Sequence, residues 1–189
     1  MGSPDHRRGP LDGYETVFAG LIANALSVRA APVAAQINLR GSANDIGAAV
    51  SVVFSGAVLA PRTNTVTHSG SIWTYGLGPD EWLLVSLSNH TGGAHALAAH
   101  LAGQPASVVD VSSNRVALDI GGSNAPALFS SLCSLDLADL APGRCAQTML
   151  AKAQVLVHPV GEGPTFRVFV RTSFARYLAD AIVDSAAFL

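Results

Sequence analysis

Few residues in this 189-residue chain stand at spacings that chemistry uses. Gly76-Leu77-Gly78 could cradle a phosphate, because glycines let backbone N–H groups approach an anion where a helix begins. Pro79, Asp80 and a second apolar run follow it instead, so it reads as a hairpin turn. The single lysine, Lys152, lies in Leu150-Ala151-Lys152-Ala153, which lacks the glycines of a phosphate-clamping loop and excludes that class of NTPase. His90, His95 and His100 recur every five residues. That spacing turns each ring well off the previous one's helical face, unlike helical zinc ligands, and they read as surface groups. Cys133, between Leu132 and Ser134, reads as a small core residue, and no Gly-x-Ser-x-Gly elbow offers a nucleophile. Two carboxylate settings remain. Asp80 and Glu81 are adjacent in the turn and read as solvated rather than as an acid and base pair. Asp110 closes a strand near Arg115, where a structural ion pair or an Asx turn with Ser112 and Ser113 accounts for it better than catalysis.

The elements that must carry these residues follow from the apolar periodicity. Residues 1–13 are polar and rich in Gly and Pro, an arm outside the core. Tyr14 to Val28 has a helical stripe of Val17, Leu21, Ala25 and Val28 and reads as a docking segment, so residues 1–32 stand before a domain at 33–189. Val33, Ala35, Ile37 and Leu39 form one face of a half-buried strand. Ala43 to Phe54 is apolar on several faces, as a buried helix is, and Pro61 to Gly70 is a loop. Ser71 to Tyr75 and Glu81 to Leu87 pair as a hairpin around Gly76 to Asp80, and Thr91 to Leu101 is a short helix. Ser107 to Val111 and Arg115 to Ile120 read as a second hairpin, with Val116, Leu118 and Ile120 on one face. A helix follows, capped by Ser123 or Asn124 and with Pro126 in its first turn. Gln147 to Val157 and Thr165 to Arg171 are strands joined across Gly161 to Pro164. The chain ends in a helix from Thr172 with a stripe of Phe174, Tyr177, Leu178, Ala181, Ile182 and Ser185. Helices recurring among hairpins predict an α+β fold with antiparallel sheets and packed helices. The halves Val33 to Leu101 and Ser107 to Leu189 look loosely alike.

Composition narrows the function classes. Eleven basic and 13 acidic side chains give a net charge of −2, with no basic stripe, so nucleic acid is not an expected partner. The 49% apolar content owes much to 31 alanines, and no stretch has the unbroken apolar length of a membrane span. No apolar run backs Arg7 and Arg8 as in a secretory signal, and two cysteines twelve positions apart read as reduced thiols; both point to the cytoplasm.

Gly78-Pro79-Asp80-Glu81-Trp82-Leu83-Leu84, followed by Val109-Asp110-Val111-Ser112, resembles the signature of the sarcosine oxidase gamma subunit family. Ala117 to Gly122, Ala125 to Leu128, Leu135-Asp136-Leu137, Pro142 to Thr148 and Val170 to Ala175 follow in the family's order. The resemblance runs from Val33 to Leu189 and leaves residues 1–32 uncovered. It implies a fold similar to the folate-binding domain of the glycine cleavage aminomethyltransferase. It also implies a place in a heterotetrameric flavoenzyme that demethylates sarcosine to glycine, releasing hydrogen peroxide and forming methylenetetrahydrofolate. In that assembly the alpha, beta and delta subunits are the partners. They carry FAD, FMN, NAD, zinc and tetrahydrofolate, and no cofactor is expected in this chain.

One departure sharpens the expectation. Aminomethyltransferases place a catalytic Asp in Asn-x-x-Gly-x-x-x-Asp-Asp, where this chain has Met149-Leu150-Ala151-Lys152-Ala153-Gln154. Gln154 cannot supply the charge that steers an iminium. The expectation is therefore a non-catalytic structural subunit, against the alternative of a stand-alone folate-binding one-carbon protein. No catalytic or metal residue is assigned. The structural or interface candidates are Trp82, Asp110, Arg115, Phe188 and Leu189. Trp82 should anchor a core or an interface, and the apolar end Phe188-Leu189 should either dock a partner or fold back onto the sheet.

Overall fold

Strand β7 (Arg115–Gly121) shows how the layers of the protein arise. Successive side chains of a strand point to opposite faces. Val116, Leu118 and Ile120 therefore enter a core shared with helices α4 (Ala125–Leu132) and α5 (Ala175–Ala186), while Ala117 enters a second core on the other side. The computed structural model describes residues 9–88, 92–161 and 163–189. The arm's residues 1–8, His90, Thr91 at the expected helix start, and Glu162 lie outside the described residues.

Two five-stranded antiparallel sheets result. The first runs β1 (Ser27–Ala30), β7, β10 (Phe166–Arg171), β9 (Ala153–Pro159), β8 (Ala146–Leu150). The second runs β3 (Val66–Ser69), β4 (Ile72–Gly78), β5 (Glu81–Ser86), β2 (Ala35–Arg40), β6 (Ser107–Asp110). Between them lie Val66, Tyr75, Leu83 and Val85 of the second sheet and Ala117, Leu156 and Phe169 of the first. Helix α1 (Tyr14–Gly20), α4 and α5 cover the first sheet's outer face; α2 (Ala43–Val53) and α3 (Gly93–His100) cover the second's. The layers are helices, sheet, sheet, helices.

The resemblance of the halves is topological. From β2 the chain runs strand, helix α2, the meander β3–β4–β5, helix α3, then strand β6. From β7 it runs strand, helix α4, the meander β8–β9–β10, then helix α5. In each sheet the meander's last strand pairs with the half's first strand, whose other edge takes a closing strand. That closing strand is β6 in one half and β1, drawn from the opposite end of the chain, in the other.

This arrangement corrects several expectations. Residues 11–30 are not an arm and docking segment set apart from the domain: Leu11, Phe18, Leu21, Leu26 and Val28 lie in the first sheet's core. The expected stripe fails at Val17, which is exposed, because the helix stops at Gly20 and Val28 sits on a strand. Gly122 permits β1's approach. It has φ +108, and a Cβ there would collide with the Ala25 carbonyl oxygen. The expected second hairpin does not form, since β6 pairs with β2 and β7 with β1 and β10; residues 111–114 cross between sheets. Residues 66–69, read as loop, are strand β3. The single strand expected over 147–157 is the hairpin β8–β9, folded at Ala151-Lys152 with Ala151 at φ 51. Strand β2 is buried on both faces, with Gln36 as enclosed as Leu39. Helix α2 is amphipathic rather than apolar all round, burying Ile46, Ala49 and Val50 while Val52 faces solvent. Asn124 occupies the N-cap position of α4, but its side chain makes no capping bond; its amide donates instead to the Asn24 carbonyl oxygen. Helix α5 buries Ala175, Leu178, Ala179, Ile182 and Ala186, leaving Phe174 and Tyr177 exposed.

Candidate functional site

The first sheet's inner face carries three rows of side chains. The middle row, Ala117, Phe169 and Leu156, is in register and apolar, and it packs on the second sheet. On one side of it runs a charged row, Arg29, Asp119, Arg167 and His158, one residue from each of β1, β7, β10 and β9. On the other side Arg115 lies opposite Arg171.

Asp119, Arg167 and His158 are all buried. Arg167 meets Asp119 with two parallel hydrogen bonds, Nε to Oδ1 at 2.7 Å and Nη2 to Oδ2 at 3.0 Å. Arg29, mostly exposed, adds a longer contact of 3.4 Å to Oδ2. Burial would lower the Arg167 pKa, but the hydrogen bonds and charge of Asp119 outweigh it and raise it. His158 goes the other way: burial, then the charge of Arg167, push its pKa down to about 4. Its Nε2 lies 3.0 Å from the hydroxyl of Tyr75, whose pKa burial raises well above the ordinary value. Trp73, Tyr75 and Phe169 surround the His158 ring. Near neutral pH the row thus holds the Asp119–Arg167 pair, Arg29 at its exposed end and a neutral His158 ring. Both oxygens of Asp119 are engaged, so the row ties two sheets and four strands together rather than presenting a free base.

The residues singled out by sequence lie apart from this row. Trp82 is buried against α2's side of the second sheet, and its Nε1 donates to the Ala60 carbonyl oxygen at 2.9 Å. Asp110 makes an Asx turn, accepting from the Ser112 backbone N–H at 2.9 Å and its hydroxyl at 2.6 Å, which lowers its pKa. It forms no ion pair with Arg115. Phe188 and Leu189 are 90% and 42% exposed and do not fold back onto the sheet. Glu81 is not simply solvated: it accepts from Asn38 and Arg40, which together overcome burial and lower its pKa. Cys133 is half-buried. Cys145 is buried, and its thiol pKa is pushed up to about 12 by burial. His95 and His100 are exposed. No group of three His, Cys, Asp or Glu suited to a metal occurs among the described residues, and no helix there is long and apolar enough to cross a membrane.

The charged row was missed because each member sits alone in an apolar strand. The available signal was Asp119 between Leu118 and Ile120, and Arg167 between Phe166 and Val168. Single opposite charges at the same parity of two buried strands mark a cross-strand pair.

Two matched α+β halves packed sheet to sheet define the class. The same fold occurs in the glycine cleavage system aminomethyltransferase T of Bartonella henselae, with a TM-score of 0.64 at 15% identity over 90% of this chain and 49% of that one. The sarcosine oxidase, gamma subunit family matches residues 40–188, and the chain belongs to that family. It is 31% identical to the sarcosine oxidase subunit gamma of an Arthrobacter species over 95% of this chain and 92% of that one. A Corynebacterium (strain P-1) subunit gamma is 28% identical over 95% and 89%. Among solved structures, a chain of the heterotetrameric sarcosine oxidase from Corynebacterium sp. U-96, in complex with pyrrole 2-carboxylate, aligns with a TM-score of 0.81. Its identity is 25% over 96% of this chain and 95% of that one.

Proposed function

We propose that this chain is a non-catalytic subunit of a heterotetrameric sarcosine oxidase and works by contact with the larger chains. The observation that carries the reading is the end-to-end match, at a TM-score of 0.81, to a chain of such a heterotetramer. The middle of the space between the sheets supports it, because the side chains there are spent on packing and, beside them, on the Asp119–Arg167 pair. Gln154 stands where the aminomethyltransferase pattern has a carboxylate. The partners are the alpha, beta and delta subunits, which hold FAD, FMN, NAD, zinc and tetrahydrofolate, and this chain holds none of them. A cytoplasmic setting fits the two unpaired thiols.

Co-expression with the neighbouring chains of the native source tests the proposal. A stable four-chain complex that releases peroxide from sarcosine is expected, together with a colourless isolated chain that turns over no sarcosine. A chain that purifies alone under those conditions, or that retains a stoichiometric yellow chromophore, overturns it. Tetrahydrofolate bound by the isolated chain would instead favour the stand-alone one-carbon reading that the fold likeness permits.

A further inference from the structure

The row on the open side of the inner face is basic and unbalanced. Arg115 of β7 and Arg171 of β10 are directly opposed in register, an arrangement in which like charges repel. Among the described residues neither guanidinium has a hydrogen bond or ion pair to a carboxylate, in contrast to Arg167 two positions along the same face. The carboxylate whose charge reaches Arg115, Glu81, makes its own hydrogen bonds to Asn38 and Arg40. Arg115 is half-buried, and burial followed by the charge of Arg171 lowers its pKa. The two arginines line a cavity of about 160 Å³ with Gln147, Gln154 and Leu77, at the mouth of the space between the sheets. Gln147 donates to the Leu77 carbonyl oxygen at 2.9 Å, which braces one wall.

We propose that this cleft is a binding site for a carboxylate, held between the Arg115 and Arg171 guanidiniums. Two planar forks facing one small cavity suit a planar oxyanion, which can accept paired hydrogen bonds from each. A bound carboxylate neutralises the repulsion between strands β7 and β10, so occupancy stabilises the sheet as well as the ligand. The carboxylate is either that of a free small molecule or that of an acidic side chain on a neighbouring subunit.

Glutarate, titrated into the full-length chain at constant ionic strength with chloride as the control, tests the site. Saturable binding and a raised melting temperature are expected, with affinity reduced by about tenfold or more in Arg171→Gln, which removes that fork's charge-assisted hydrogen bonds. Arg171 is exposed, so this variant keeps its core, and Arg171→Lys should recover part of the affinity by restoring charge without the fork. A response that does not saturate, that chloride matches, or that Arg171→Gln leaves unchanged overturns the proposal. Repeating the titration on the assembled complex separates the sources. Binding that persists identifies a free carboxylate. Binding lost on assembly, with assembly itself weakened in Arg171→Gln, identifies a neighbouring subunit's side chain. Failure of the chain to assemble bears on the proposed function alone, since the first titration uses the chain by itself.

Discussion

Arg167 lies directly across from Asp119 on the neighbouring strand, and its Nε and Nη2 grip both carboxylate oxygens in the buried space between two sheets. The pair is placed where β1, β7, β10 and β9 run side by side, and His158 extends it to Tyr75 on the opposing sheet. Breaking it should therefore disturb both layers. Asp119→Asn leaves a buried guanidinium without its counter-charge and should cost roughly 3–5 kcal/mol of stability by urea unfolding. The double change Asp119→Leu with Arg167→Met should cost much less than the sum of the two single changes, because it removes both charges together.

Acid should weaken the fold through His158. Its folded pKa is about 4 against an ordinary 6.5, so the unfolded chain takes up the proton first as pH falls. Stability is full above about pH 6.5 and declines as pH falls toward 4, by about 3 kcal/mol in total from this group. Urea midpoints across that window should show the slope, and His158→Phe should flatten it while lowering the neutral-pH value, because the Tyr75 hydroxyl loses its partner.

Trp82 fills the second sheet's outer core and is 4% exposed. Trp82→Ala should cost roughly 3–5 kcal/mol. Trp82→Phe keeps most of the ring volume, strands only the Ala60 carbonyl, and should cost about 1 kcal/mol beyond the lost area. Chemical denaturation of both variants distinguishes packing from hydrogen bonding.

Gly122→Ala should detach the N-terminal strand. The added Cβ meets the Ala25 carbonyl and the backbone is left-handed there, a combined cost of about 2 kcal/mol or more. Hydrogen exchange should accelerate first at residues 27–30 and at their β7 partners 118–121.

Removing residues 187–189 should leave the melting temperature nearly unchanged, because Phe188 and Leu189 pack on little while Ala186, the last buried residue of α5, is kept. If these residues dock a partner, co-purification with the other subunits should fall. Assembly at the parent level removes this helix end from the interface.

Local pattern was enough to establish a good part of the molecule. The alternation Val116, Leu118, Ile120, the turn at Pro79-Asp80, Pro126 in the first turn of α4 and the Asx turn at Asp110 are all decided within a few residues of chain. The order of motifs from Gly78 to Ala175 carried the family. Long-range pairing was decided only in three dimensions. Whether β6 and β7 form a hairpin depends on which partner strands, distant in the sequence, take up their backbone N–H and C=O groups, and no local period encodes that choice. The same holds for β1, whose first residues, Ser27 and Val28, read as the end of a helix until β7 offers an open edge and Gly122 lets the strand reach it. The buried charges follow from these pairings. Asp119 and Arg167 are 48 positions apart, and only the register of β7 on β10 makes them partners while leaving Arg115 and Arg171, two places further along, facing each other without one.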